Sequence, residues 1–206
     1  MNILLNRNEN KVQIGKVDNS FYKLLLTVFK ILFYLLSLSI SSKIKFYIPF
    51  SPVPFTFQML VIFFIIFSEN RKLAFLSILS YLLSGFLSFP AFAQNIGFQA
   101  LLGPTGGYIL GFLFTSFLAD ENGINVKKEK YYYKKSKQNI LTILTIKGLL
   151  AIFIVYLFGF LGLLRFTNPK NAFIIGILPF ILFDLYKLII CLFIFSKLYY
   201  KKEIKG

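Results

Sequence analysis

The chain has 206 residues, 57% of them apolar and only 15% charged, with 27 Phe, and this balance excludes an ordinary soluble domain as well as a disordered chain. Its formal charge of +15 sits on bases placed between long apolar runs, where they act as membrane-topology signals and not as a nucleic-acid footprint. His is absent and Cys191 is the single cysteine, so imidazole metal sites, His-dependent catalysis and an internal disulfide are excluded, and no residue set calls for a cofactor or a metal.

In chain order, residues 1–20 predict a short polar cytosolic leader without the early apolar core of a signal peptide. Six apolar segments follow within a membrane domain at 21–198. The first, Leu24 to Ser42, makes about 28 Å of helix at 1.5 Å per residue. The second, Phe55 to Ser68, is short for a span. From Leu73 to Ala119 there are 47 residues without a charge, and Pro90, Asn95 and Pro104 divide them into a third and a fourth span. The fifth covers Ile140 to Leu164. The sixth covers Ala172 to Phe195, with Pro179 placed to begin that helix or to kink it. A basic loop at 120–139 and a tail at 199–206 complete the chain.

Orientation follows from the bases. One set of segment ends carries 16 Lys/Arg and the opposite set 4, which places both termini in the cytoplasm. The expected architecture is therefore all-α, an integral membrane bundle of six transmembrane helices. Lys30 and Lys147 lie inside cytosolic helix ends, close enough to snorkel back to water. The Lys-rich run around Lys127 to Lys137 suits a solvated loop attracted to anionic headgroups of the lipid bilayer.

Two outer loops, Lys43 to Pro54 and Pro90 to Pro104, are apolar, aromatic and rich in Pro and Gly, unlike a solvated connector. They either re-enter the bilayer under protein cover or close over an external cavity as a lid. Asp184 is the one acid inside a span. A carboxylate there costs roughly 2.5–3.5 kcal/mol on insertion scales, so it needs a partner, and Lys187 three residues on shares its helix face. The pair either holds helices together or accepts and meets polar groups of a ligand. Ser37 and Ser41, and Gly107 and Gly111, are spaced for close helix approach, within the chain or toward a membrane partner. No Walker sequence is present, so ATP-driven transport would need another protein.

Three stretches then resemble a known family: Pro52-Val-Pro-Phe-Thr-Phe-Gln58, Leu102-Gly-Pro-Thr-Gly-Gly-Tyr-Ile-Leu-Gly-Phe112, and Pro179-Phe with Asp184-Leu-Tyr-Lys187. Together they are similar to the BioY family, the biotin-binding S components of energy-coupling factor (ECF) transporters. The resemblance implies a six-helix bundle binding biotin near the external face, under the loops after spans one and three. It implies docking through small residues of span one, here Ser37 and Ser41, onto a transmembrane coupling protein served by two ATPases. It matches Asp184 and Lys187 to the family's acid and base. Two positions depart from the pattern: Gln94-Asn95-Ile96-Gly97 stands where the family carries a Gly-rich run, and Phe183 where Gly is common.

Biotin offers a fused ring pair, two ureido N–H donors, a carbonyl and a carboxylate. On this resemblance Asp184 takes the ureido N–H groups and Lys187 orients the ligand carboxylate or contacts the ligand. Gln94, Asn95 and Tyr108 are candidate hydrogen-bonding partners, and Gly106 and Gly107 allow close backbone approach. The expectation is a multi-pass plasma-membrane protein, bacterial, taking up a vitamin and not an enzyme. An S component for another vitamin and a ligand-free membrane scaffold with a structural Asp-Lys pair are the alternatives; an enzyme or a channel fits poorly, because no nucleophile-base pair or polar ring is present.

Overall fold

The computed structural model describes residues 19–94, 97–121 and 137–203. The expected leader up to residue 18, the basic run at 122–136, the last three residues of the tail and the candidate Asn95 lie outside the described residues.

The apolar runs become helices. The longest are α1 (Asn19–Lys43), α6 (Lys137–Leu163) and α8 (Leu178–Glu203); the segments Ser20–Lys43, Ile140–Leu163 and Pro169–Leu198 are each long and apolar enough to cross a membrane. Their outward side chains are large and apolar, such as Phe29, Ile40, Phe153 and Ile189, all more than half exposed, as a surface solvated by lipid tails requires. A two-residue antiparallel ribbon, β1 (Lys45–Phe46) with β2 (Phe55–Thr56), pairs Lys45 with Thr56 and Phe46 with Phe55. The all-helical expectation did not contain this ribbon. It closes the first loop on itself and satisfies backbone groups that hydrocarbon would leave unpaired.

α2 (Gln58–Ser68) has 11 residues, about 16 Å at 1.5 Å per residue, and seven of them are buried. α3 (Arg71–Phe86) begins on an Asn70 cap whose side chain accepts from the Leu73 N–H at 2.9 Å. Among the described residues, the divide expected at Pro90, Asn95 and Pro104 contains a single turn, α4 (Gln99–Leu102), before α5 (Gly106–Thr115), which ends in a 3-10 turn (Ser116–Leu118). α6 (Lys137–Leu163) packs most closely on α5. A Cβ on Gly107 would collide with the Phe158 carbonyl, one on Gly111 would lie 2.9 Å from the Val155 Cα, and one on Gly162 would lie 3.0 Å from the Gly107 Cα. The Gly107-x-x-x-Gly111 spacing thus serves contact within this chain.

The sixth apolar run is two helices. α7 (Pro169–Gly176) starts on an Asn168 cap with Pro at its first position, and after Ile177 the chain enters α8 (Leu178–Glu203) with Pro179 in the first turn, where its missing N–H is tolerated.

One end of the bundle is tied by charge. Lys30 reaches Glu69 at 2.9 Å, Tyr34 donates to the same carboxylate at 2.8 Å, Lys147 meets Asp120 at 2.6 Å, and the Arg71 N–H donates to the Asp120 carbonyl at 2.7 Å. Lys30 and Lys147 are therefore not free snorkels. Each has an acid on a neighbouring segment, and Glu69 is buried because Lys30 and Tyr34 cover it. Neither α2 nor α5 is long enough to fill the opposite end. There the two apolar loops fold inward over the N-termini of these short helices and leave a cavity beneath them.

Candidate ligand-binding site

The cavity is small and open at its mouth, the space of about 630 Å³ between its walls including open solvent. Its walls come from both loops (Val53 to Thr56 of the first and its ribbon, Ala93 of the second), the start of α2 (Gln58, Met59), α3 (Tyr81), the start of α5 (Tyr108, Ile109, Phe112), and the facing parts of α6 and α8. Aromatic and aliphatic carbon dominates, and the polar groups are few.

Asp184 and Lys187, on the second and third turns of α8, both face this cavity, 8% and 5% exposed. A carboxylate this deep must be satisfied, and it is. Lys187 Nζ lies 2.6 Å from Oδ1, and the Tyr156 hydroxyl donates to Oδ2 at 2.6 Å. Each carboxylate oxygen therefore accepts one hydrogen bond among the described residues, whereas the two together offer about four lone-pair sites. The remaining capacity points to an acceptor for incoming N–H groups.

Lys187 is more fully engaged. It donates to Asp184 and to the Thr56 carbonyl at 2.7 Å, and it stands 3.9 Å from the centroid of the Phe55 ring in a cation–π contact. The ammonium thus holds the carboxylate and the ribbon together. Phe183, beside Asp184, packs its ring edge-on against Phe55 at 5.1 Å, so this departure from Gly supplies a buttress for the ring that covers Lys187.

The other candidates divide. Tyr108 lines the cavity, with its hydroxyl proton given to the Gly176 carbonyl at 2.8 Å. Gln94 does not line it; its Nε2 donates to the Pro52 carbonyl at 3.2 Å and joins the two loops, while its neighbour Ala93 forms part of the wall. Gly106 and Gly107 are also away from the lining: a Cβ on Gly106 would strike the Leu101 carbonyl, so both glycines make room for this chain's own backbone. Of the span-one pair, Ser41 is buried and bonded to the Leu38 carbonyl, whereas Ser37 is half-buried on a face whose neighbours Phe33 and Ile40 are exposed.

Sequence reasoning missed Tyr156, Tyr81 and the strapping of the second loop. Ser42, Lys43 and Lys45 donate to three consecutive carbonyls, those of Ala91, Phe92 and Ala93, at 2.6, 2.7 and 2.6 Å. Ser51 ties the first loop to the Ile175 carbonyl at 2.8 Å. Nothing in the spacing of Lys43 and Lys45 singles out a carbonyl run some 48 residues away.

Comparison with known proteins is decisive at this point: the model of the BioY family matches residues 16–203. The chain belongs to the BioY family. A probable biotin transporter BioY of Pyrococcus horikoshii is 38% identical over 140 residues, which are 66% of this chain and 74% of that one. The biotin transporter BioY of Thermotoga maritima is 33% identical over 153 residues, 73% of this chain and 83% of that one. A crystal structure of the S-component for biotin from an ECF-type ABC transporter superposes with a TM-score of 0.66 at 25% identity, covering 89% of this chain and 94% of the other. The BioY motifs quoted from the sequence, Pro52 to Gln58 and Asp184 to Lys187, meet in space at the cavity just described.

Proposed function

We propose that this protein takes up biotin, acting as the membrane-embedded biotin-binding S component of an ECF-type transporter in the plasma membrane. The activity is transport and not catalysis. What carries the reading is Asp184: a carboxylate at a loop-covered aromatic cavity, held by Lys187 and Tyr156, with acceptor capacity to spare. The two ureido N–H groups of biotin suit that capacity, and the fused rings suit walls such as Phe55, Phe112 and Phe180. Lys187, engaged by the protein, positions the Asp184 carboxylate and the ribbon.

With both termini in the cytoplasm and six spans, the cavity opens outward, on the side from which a nutrient arrives, and the ion-paired end faces the cytosol. A transmembrane coupling protein and its ATPases supply the driving force that the chain itself cannot, and Ser37 lies on the α1 face open to such a partner.

Equilibrium binding of labelled biotin to the purified chain in detergent tests this. Saturable, stoichiometric binding is expected, with Asp184→Asn at least tenfold weaker while the protein still expresses. A chain that ignores biotin but binds another vitamin from a panel overturns the ligand assignment; one that binds none overturns the carrier reading.

A further inference from the structure

Thr56, Gln58 and Tyr81 form a hydrogen-bonded line along the cavity wall. The Thr56 hydroxyl donates to Gln58 Oε1 at 3.1 Å, and Gln58 Nε2 donates to the Tyr81 hydroxyl oxygen at 2.5 Å. Polarity therefore runs one way, and it ends on a phenol that accepts from Gln58 while its own proton meets no acceptor among the described residues. Tyr81 is buried. It lines the same cavity as Asp184. Its ring is fixed edge-on by Phe92 at 5.4 Å, and the Phe92 carbonyl is in turn held by Lys43 at 2.7 Å.

The line also joins the acid. Lys187 donates to the Thr56 carbonyl as well as to Asp184, so Tyr156, Asp184, Lys187, Thr56, Gln58 and Tyr81 are one continuous network. One end presents an acceptor to the cavity and the other a donor. A urea group has the complementary pair, N–H donors beside a carbonyl acceptor.

We propose that Tyr81 is a specificity-determining residue that donates its hydroxyl proton to the ureido carbonyl of the ligand, with Thr56 and Gln58 as positioning residues that fix the direction of that proton. This deepens the biotin reading and rests on it. Thr56 orients the Gln58 amide so that its NH2 faces the phenol; without that hydroxyl the amide is free to turn and capture the Tyr81 proton.

The test compares biotin, desthiobiotin and 2-iminobiotin on the wild-type chain, Tyr81→Phe and Thr56→Val. Desthiobiotin keeps the ureido carbonyl. In 2-iminobiotin at neutral pH that oxygen is replaced by a protonated imino group, a donor where an acceptor is required. Tyr81→Phe is expected to weaken biotin and desthiobiotin each by about tenfold, in line with one lost hydrogen bond from a buried site, and to leave 2-iminobiotin unchanged or tighter. The biotin preference over 2-iminobiotin then narrows by at least that factor. Thr56→Val, which keeps the phenol and its bulk, narrows it in the same direction. A purely structural role lowers all three ligands together and leaves the ratio untouched, and that result overturns the assignment, as does unchanged biotin affinity in Tyr81→Phe. Failure of the wild-type chain to bind biotin at all is a separate result: it overturns the reading beneath this one.

Discussion

The Lys187 ammonium donates to the Thr56 backbone carbonyl at 2.7 Å across 131 residues of chain, while its other hydrogen bond goes to Asp184 on its own helix at 2.6 Å. One cation thus fastens the ribbon that covers the site to the acid at its floor. Neutral removal of Lys187 leaves a buried carboxylate with Tyr156 alone, and breaking a buried pair from one side costs about 3–5 kcal/mol. Lys187→Met is expected to lower thermal stability in detergent markedly and to weaken biotin binding. The double variant Asp184→Asn with Lys187→Met removes both charges and is expected to regain most of that stability without regaining affinity. Thermal unfolding and biotin titration of the three variants separate the two roles. A double variant that binds like wild type leaves Asp184 with a helix-holding role only.

The loop straps make a second prediction. Lys43 and Lys45 each hold one carbonyl of the second loop, and no described acid competes for either ammonium. Each such bond from a charged donor contributes about 1.5–3 kcal/mol. The double variant Lys43→Ala with Lys45→Ala is expected to speed chymotrypsin cleavage at Phe89 and Phe92 several-fold, because Phe92 is buried only while the loop lies down. Saturating biotin restores protection if the loop closes over ligand. Cleavage rates indifferent to both the straps and biotin argue that the loop is a fixed wall and not a cover.

Much of this arrangement could be read directly from the sequence, and what could not has a physical reason. The apolar runs that became α1, α2, α3, α5, α6 and α8 were visible because a bilayer demands long uncharged stretches, and Asp184 stood out because it violates that demand. α7 begins at Asn168-Pro169, ahead of the expected sixth span at Ala172 to Phe195, and the apolar run through Ile177 hides the break before α8 from a hydropathy reading. Lys30 and Lys147 looked alike as isolated bases, since the pairing of Glu69 and Asp120 depends on helix packing across the bundle. Tyr156 and Tyr81 are two among 12 tyrosines, and only folding shows that their hydroxyls face a cavity instead of a membrane interface. Gly106 and Gly107 lie in a ligand-family motif, but the atoms they approach are carbonyls of Leu101 and Phe158.

That last contact is testable. Gly107→Val places a branched side chain where the α6 backbone already sits, so the two helices must separate by more than a rotamer change allows. Loss of monodisperse protein in detergent is expected. Normal folding of Gly107→Val, with affinity alone reduced, reassigns this glycine to the ligand.

The docking proposed for α1 makes different demands on its two serines. Ser37 sits between exposed Phe33 and Ile40, its hydroxyl turned back to the Phe33 carbonyl at 2.8 Å, so the face it leaves is small and open to lipid or to a partner helix. Ser41 is 6% exposed and turned into this chain's own bundle. A bulky residue therefore acts differently at the two sites. Ser37→Leu fills a shallow gap on the outer face and is expected to reduce co-purification with the coupling protein and ATPases while leaving thermal stability and biotin binding of the isolated chain unchanged. Ser41→Leu overpacks the interior and is expected to cost about 1–3 kcal/mol of stability before any partner is present. Pull-down yield measured beside the unfolding temperature distinguishes them. Should Ser41→Leu abolish assembly at unchanged stability, α1 must rotate on docking to expose that residue; should Ser37→Leu assemble normally, the docking face lies elsewhere on the bundle.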